Sequence, residues 1–298
     1  MFRLVAGIIA LSALSVGASE NRQLAERQVA EAEEALRAND RQTAAARLGA
    51  AAANYVAVND VKSASDLLQR AIRLDGRNEW LFQQLGMFYL KFRAPEPAAI
   101  VFRLGTARFP GSAQMWLGIA MAEHLQEHPE VAETAVRKAI ALNNKVPDAY
   151  LVLANILERD RPREALEVLR EAVRRFPGNG AALLNYGNLA LTLDPGAAPA
   201  VIPVLERAVA LRPNTAANHC ELARALEAAD RRKRAIAEYE AAVRLEPGLA
   251  KAHYRLSVLY RLSGDADRAR AALGAFRRCE SEEERHAAQP TIQYQIQR

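Results

Sequence analysis

Residues 82–110 read FQQLGMFYLKFRAPEPAAIVFRLGTARFP, and the spacing of their large and small residues recurs through most of the chain. The most regular marker is the small residue that corresponds to Gly105. The markers are Ala71, Gly105, Ala139, Ala172, Ala208, Ala242 and, as a large exception at the end, Phe276. Successive markers are separated by 34, 34, 33, 36, 34 and 34 residues. A repeat of about 34 residues therefore organises the sequence.

Each repeat combines small and large apolar residues at helical spacing. In the quoted copy, Ala98 and Gly105 flank Phe102 on one face of a predicted helix. The small residues let two helices approach closely, and the large residue packs between them. A large–small pair, Leu85 followed by Gly86 in this copy, recurs in the preceding segment of most units. The pattern therefore predicts two packed helices in each repeat.

This pattern resembles the tetratricopeptide repeat, with Phe82 at the position where that family usually has Trp. The resemblance implies an all-α fold, a right-handed superhelical solenoid of about seven helical hairpins that bury their apolar faces on one another. The expected array covers residues 45–283, with hairpins at 45–78, 79–112, 113–146, 147–179, 180–215, 216–249 and 250–283. The fifth is longer because Asp194, Pro195 and Gly196 extend its internal turn.

The N-terminal segment differs from the array. Residues 1–18 are expected to be a secretory signal, with Arg3 as a basic head, an apolar stretch from Leu4 to Leu14 and small residues before Ser19. An uncleaved N-terminal anchor is the alternative. Residues 19–44 are rich in Glu, Arg, Gln and Ala, and we expect them to form an amphipathic helix that caps the first repeat. Its larger apolar residues are Leu24, Val29 and Leu36.

The C-terminal tail, residues 284–298, is polar except where Ile292, Tyr294 and Ile296 alternate with Gln. A period of two residues is typical of a β-strand. The tail is therefore either a frayed end or a strand that pairs with the sheet edge of a partner. Unchanged partner binding after deletion of residues 290–298 would reject the second interpretation.

The composition argues against several functions. The net charge is +5, but basic residues do not alternate with aromatic ones along a stripe, so nucleic-acid binding is not expected. A peripheral association with anionic lipid or polysaccharide stays open. Cys220 and Cys279 lack the spacing of a metal or redox site, and we expect no disulfide between them.

Residues 124–128 read HLQEH and fit the H-x-x-E-H pattern of inverted zinc peptidases. That chemistry needs both histidines one turn apart on one face of a helix. Here Pro129 follows His128 and biases it away from helical geometry, and the repeat register places His128 in a turn. We therefore expect no metal, no cofactor and no enzymatic activity.

The resemblance places the ligand on one face of the first helices, which line a groove. By register, that face holds Trp80, Gln83, Met87, Lys91, Gln114, Leu117, Met121, His124, Leu151, Asn155, Glu158, Leu184, Asn188, Leu191, Cys220, Arg224, Lys251, Tyr254, Val258 and Arg261. Its first half is rich in large apolar residues that are costly to expose, and its second half is more cationic. Such a mixed groove suits a protein or peptide segment better than a small metabolite.

One sub-family of these arrays clamps a C-terminal carboxylate with Lys, Asn and Arg. Asn188, Lys251 and Arg255 match three of its positions, whereas Leu184 and Glu221 replace the other two. Because Glu221 would repel a carboxylate, this ligand is not expected.

Two functional classes follow. The first is an exported bacterial scaffold, periplasmic or secreted, that binds a protein partner in cell-envelope assembly, secretion or polymer export; a holdase-like chaperone for many unfolded clients is its milder variant. The second is a zinc-dependent envelope hydrolase, which rests on residues 124–128 alone. The first is preferred because it uses the whole chain.

Overall fold

The computed structural model describes the backbone of residues 2–287 and the side chains of residues 17–281. In this part the chain is a succession of helices joined by short turns, so the expected all-α fold is confirmed there. The helices are α1 (Phe2–Arg37), α2 (Arg41–Ala57), α3 (Val61–Leu74), α4 (Glu79–Lys91), α5 (Pro95–Arg108), α6 (Ala113–Leu125), α7 (Pro129–Leu142), α8 (Pro147–Glu158), α9 (Pro162–Arg175), α10 (Gly180–Leu193), α11 (Ala198–Leu211), α12 (Ala216–Ala228), α13 (Arg232–Leu245), α14 (Ala250–Leu262) and α15 (Ala266–Ala287). A short 3₁₀ turn, Pro195–Ala197, lies in the long connection before α11.

Each expected hairpin contains one pair of these helices, from α2 and α3 to α14 and α15. We call the earlier member of a pair its first helix and the later member its second helix. The helix α2 begins at Arg41, inside the segment 19–44 that was assigned to the cap. The expected strand at residues 290–298 lies outside the described residues.

Local signals set where the helices begin. Asn78, Ser112 and Asn179 each accept a hydrogen bond from a backbone N–H in the first turn of α4, α6 and α10. Proline begins α5, α7 and α9, where its missing N–H costs no hydrogen bond. Several turns between first and second helices share a left-handed residue: Asn59, Arg93, Glu127, Asp230 and Gly264. The repeat is therefore a repeat of turn geometry as well as of packing.

The helix α1 covers the first hairpin. Ala32 is fully buried against α2, with Leu36 packed beside it. Arg70 of α3 donates a hydrogen bond of 2.6 Å to Glu33, and this bond lowers the pKa of the Glu33 carboxyl. Leu24, one of the apolar residues expected to face the repeat, is instead exposed. None of the described helices is both long and apolar enough to span a membrane.

Close approach between helices shapes the core of the N-terminal part. Phe102 of α5 is buried between Gly86 of α4 and Gly118 of α6. A Cβ atom at either glycine would lie 2.3 Å from the Phe102 ring. The space that two side chains would need is thus filled by one aromatic ring.

The C-terminal part has a second core. Leu205 of α11 packs against Gly187 of α10 in the same way as Phe102 packs against its glycines. Tyr239 is buried, and its hydroxyl donates to Glu227 at 3.3 Å, while Arg255 pairs with the same carboxylate. Burial raises the pKa of Tyr239, so that its neutral, hydrogen-bonding form is favoured. In the last hairpin Phe276 replaces the small marker and lies against Tyr254, with ring centroids 5.4 Å apart.

Contacts divide the chain into two compact units, an N-terminal unit (Met1–Ile156) and a C-terminal unit (Leu157–Arg298). The boundary falls inside α8, the first helix of the fourth hairpin. In an array where each hairpin contacts only its neighbours, a boundary of this kind can fall within any repeat. We therefore describe the candidate site separately for each unit.

Candidate functional site

The first helices approach one another within each unit. In the N-terminal unit α4 contacts α2 and α6, and in the C-terminal unit α10 contacts α12. We call the solvent-facing side of the first helices the inner face, and the solvent-facing side of the second helices the outer face. The sequence assigned the ligand-binding residues to the inner face.

Two large apolar side chains lie exposed on the inner face of α4. Trp80 and Met87 are each 42% exposed, although Leu81, Phe82 and Leu85 of the same helix are buried. Gln83, between them, is half-buried, and Lys91 is exposed at the end of the helix. An exposed Trp and Met, two turns apart on one helix face, form an apolar strip that water solvates poorly.

The helix α6 contributes less than the sequence predicted. Leu117 was expected on the inner face but is only 5% exposed, so its assignment as a groove residue is wrong. The physical reason is that α6 is apolar around most of its circumference and buries Met115, Leu117 and Ile119 alike. Met121 and His124, one and two turns later, are half-buried and stay accessible. On α8, Leu151 is half-buried and Asn155 is exposed.

In the C-terminal unit a polar cluster joins α10 to α12. Arg224 donates a hydrogen bond of 2.8 Å to the backbone carbonyl of Asn188. Its Nε also lies 3.0 Å from Glu221 Oε2, an ion pair whose alignment is too poor for a hydrogen bond. Glu221 is therefore neutralised from within its own helix, and Arg224 already has partners. Leu184, on the preceding helix, is half-buried.

The helix α14 carries the more accessible cations. Lys251, Tyr254 and Arg261 are exposed, and Val258 between them is half-buried. Their spacing of three, four and three residues places all four on one face of the helix. This stripe combines two positive charges with an aromatic ring, a combination suited to a chain that carries both acidic and apolar residues.

The histidine string 124–128 does not form a helical metal site. The helix α6 ends at Leu125, Glu127 has a φ of +61°, and His128 precedes α7. His128 Nδ1 lies 2.9 Å from Glu123 Oε2, and Glu123 is buried and also pairs with Arg103. The two histidines thus lie on opposite sides of a turn, and within the described residues no group of three metal-binding side chains is found.

Ring donors at the start of four first helices have a structural role. Trp116, Tyr150, His219 and His253 each lie within hydrogen-bond distance of the carbonyl six residues earlier, with donor–acceptor distances of 3.4, 3.3, 2.8 and 2.9 Å. The other ring nitrogen of His219 lies 2.7 Å from Glu238 on α13. These rings therefore connect each first helix to the turn before it.

Sequence reasoning missed an apolar area on the outer face of the N-terminal unit. Ile100 and Leu104 of α5 are 57% and 50% exposed, and Val131 of α7 is similarly exposed. A shallow cleft of about 470 Å³ lies between α5 and α7, with Trp116 and Val131 among its lining residues. The available signal was the register: the positions equivalent to Leu104 carry charged residues in several other repeats, namely Arg70, Lys138, Glu171 and Arg207.

Comparison with known proteins supports the repeat assignment. A family model described as the tetratricopeptide repeat matches residues 157–216 and 220–279. The described helices before residue 157 repeat the same pair-of-helices pattern. Residues 157–216 and 220–279 thus match the tetratricopeptide repeat family, and the described helices before them have the same architecture. No curated protein sequence matches it.

Several solved structures share this fold. PilF of Pseudomonas aeruginosa is 22% identical, with a TM-score of 0.61, over 72% of this chain and 99% of PilF. MamA of Desulfovibrio magneticus RS-1 is 20% identical, with a TM-score of 0.52, over 58% of this chain and 97% of the MamA structure. A repeat protein from Cytophaga hutchinsonii is 13% identical, with a TM-score of 0.57, over 79% of this chain and 96% of that structure. At these identities the similarity establishes the fold alone.

Proposed function

We propose that this protein is a non-catalytic scaffold that holds a segment of a partner protein on the inner face of its first helices. The observation that carries the proposal is the exposed pair Trp80 and Met87 on α4. Aromatic and Met side chains are enriched in the cores of binding surfaces. An aromatic ring buries a large area with little loss of conformational entropy, and a flexible Met side chain adapts its shape to the partner.

The charges of the C-terminal unit add to the proposal. Lys251 and Arg261 are exposed on either side of Tyr254. Such cations raise the association rate with an acidic segment and help to select it. We therefore propose that the inner face of the C-terminal unit contacts acidic residues of a partner, whereas the inner face of the N-terminal unit contacts its apolar anchors. Binding to one defined segment distinguishes a scaffold from a holdase, which would retain many unrelated unfolded chains.

We further propose that the scaffold acts outside the cytoplasm, in the periplasm or as a secreted protein, and serves cell-envelope assembly, secretion or polymer export. The support is the sequence of residues 1–18, with its basic head, apolar stretch and small residues before Ser19. Mass spectrometry of the chain recovered from fractionated bacteria tests this. A chain that begins at Ser19 supports cleavage, and a full-length chain in the membrane fraction supports an anchor. A full-length chain confined to the cytoplasm would reject export.

The binding face is tested with a display library of random peptides selected on the full chain. For the peptide selected most strongly, Trp80→Ala should weaken the affinity about 30-fold, the loss typical of a buried aromatic anchor at an interface. Isothermal titration calorimetry measures the loss, and circular dichroism checks that the fold is retained. The matched control is Ile100→Ala, an exposed apolar residue on the outer face, which should leave the affinity unchanged. Equal affinities of wild type and Trp80→Ala would reject the proposed face.

A further inference from the structure

The first hairpin presents an unusually bare inner face. The positions that hold Trp80, Gln83 and Met87 in the second hairpin hold Ala46, Gly49 and Ala53 in the first, 34 residues earlier. Ala46 and Ala53 are exposed, yet Gly49 between them is buried. Because Gly49 has no side chain to bury, something from the neighbouring helix must cover its backbone.

That cover is the indole ring of Trp80. A Cβ atom at Gly49 would lie 2.6 Å from Trp80 Cζ3 and 3.3 Å from Trp80 Cη2. The first distance is shorter than real Cβ contacts allow. The same Cβ atom would also lie 2.9 Å from Leu81 Cδ2. The six-membered ring of the indole therefore packs against the backbone of α2, in space that exists only because residue 49 is Gly.

The other end of Trp80 is held as well. Its backbone N–H donates a hydrogen bond of 3.2 Å to Asn78 Oδ1, which fixes the residue at the start of α4. Both contacts restrict the orientations open to the Trp80 side chain, although it is 42% exposed. An anchor that is already ordered loses less conformational entropy when a partner binds.

We propose that Gly49 is a positioning residue for the binding site, because it lets Trp80 pack against α2. This packing sets the orientation in which the exposed part of the indole meets an apolar side chain of the partner. This inference rests on the proposed function, since it assigns a role to Trp80 at the interface.

The test begins with the full chain carrying Trp116→Phe, which leaves Trp80 as the sole tryptophan of the two in the sequence. Adding Gly49→Ala should displace the indole, shift its fluorescence emission to longer wavelength and increase its quenching by acrylamide. The affinity for the selected peptide should fall about tenfold. If Gly49 had only a structural role in α2, Gly49→Ala would leave the emission and the affinity unchanged, because Ala favours a helix more than Gly does. Ala53→Ser, on the same face, is the matched control and should change neither the emission nor the affinity.

A double-mutant cycle separates the contact with Trp80 from the contact with Leu81. The Phe side chain is shorter than that of Trp and lacks the second fused ring that reaches α2. In a Trp80→Phe background, Gly49→Ala should therefore change the affinity far less than in the wild-type background. Equal losses in both backgrounds, or unchanged emission on Gly49→Ala, would overturn the inference. The two proposals fail separately. Full binding by Trp80→Ala rejects the proposed function, whereas weak binding by Trp80→Ala with full binding by Gly49→Ala rejects only the role of Gly49.

Discussion

Replacing Phe102 by Ala should destabilise the N-terminal unit by about 3–5 kcal/mol, the range measured for large-to-small changes at buried aromatic residues. The Phe102 ring is 1% exposed and occupies the space left by two glycines. Gly86 and Gly118 lie on the two helices that flank α5 and have no side chains with which to fill the cavity. The surrounding helices would therefore have to move or leave a void, and each outcome costs packing energy.

The measurement is urea denaturation followed by circular dichroism. Leu104→Ala is the matched control because Leu104 lies on the same helix but is exposed, and its loss should be within about 0.5 kcal/mol. If Phe102→Ala were as stable as Leu104→Ala, Phe102 would not be packed between Gly86 and Gly118 in solution. A loss of about 3–5 kcal/mol would support this packing, which holds α4 and therefore positions Trp80 and Met87.

The change Asn218→Asp should cost about 3 kcal/mol in the C-terminal unit. Asn218 is buried, and its Nδ2 donates hydrogen bonds to the carbonyls of Ala208 and Arg212 at 2.9 and 3.3 Å. These carbonyls lie at the end of α11, where the backbone N–H groups of Arg212 and Thr215 also reach them at 3.1 and 3.3 Å, so the amide of Asn218 adds a second hydrogen bond to each. An aspartate has nearly the same shape but has no amide donor, so it would place a buried negative charge against two carbonyl oxygens.

Asn214→Asp provides the control for this prediction. Asn214 is an exposed residue of the same connection, so the same chemical change there should alter the stability by no more than about 0.5 kcal/mol. Thermal and urea unfolding of both variants at neutral pH measure the difference. If the two variants unfold alike, the amide of Asn218 does not fasten α11 to α12.

Much of the fold could be predicted because the pattern repeats. One copy of the pattern, such as Phe102 between small residues, is weak evidence for a helix contact. Seven copies at a regular spacing are strong evidence for paired helices. The register also correctly separated exposed Trp80 and Met87 from buried Phe82 and Leu85.

The register failed where a residue departs from the average repeat. It treated Leu117 as equivalent to Gln83, although the apolar surroundings of α6 bury it. It gave no sign that Asn218 is a buried donor, because the partner carbonyls belong to the backbone. The seat of Trp80 on Gly49 was missed for a related reason: the absence of a side chain matters only once the neighbouring ring is known to fill the space.

The central claim, that the partner segment lies on the inner face, is tested most directly by site-specific photo-cross-linking. A benzophenone amino acid replaces Gln83, between Trp80 and Met87, or Leu104 on the outer face of the same hairpin. With the peptide selected on the full chain, we predict a cross-linked product from position 83 and none from position 104. A product from position 104 and none from position 83 would contradict the claim and move the binding site to the outer face.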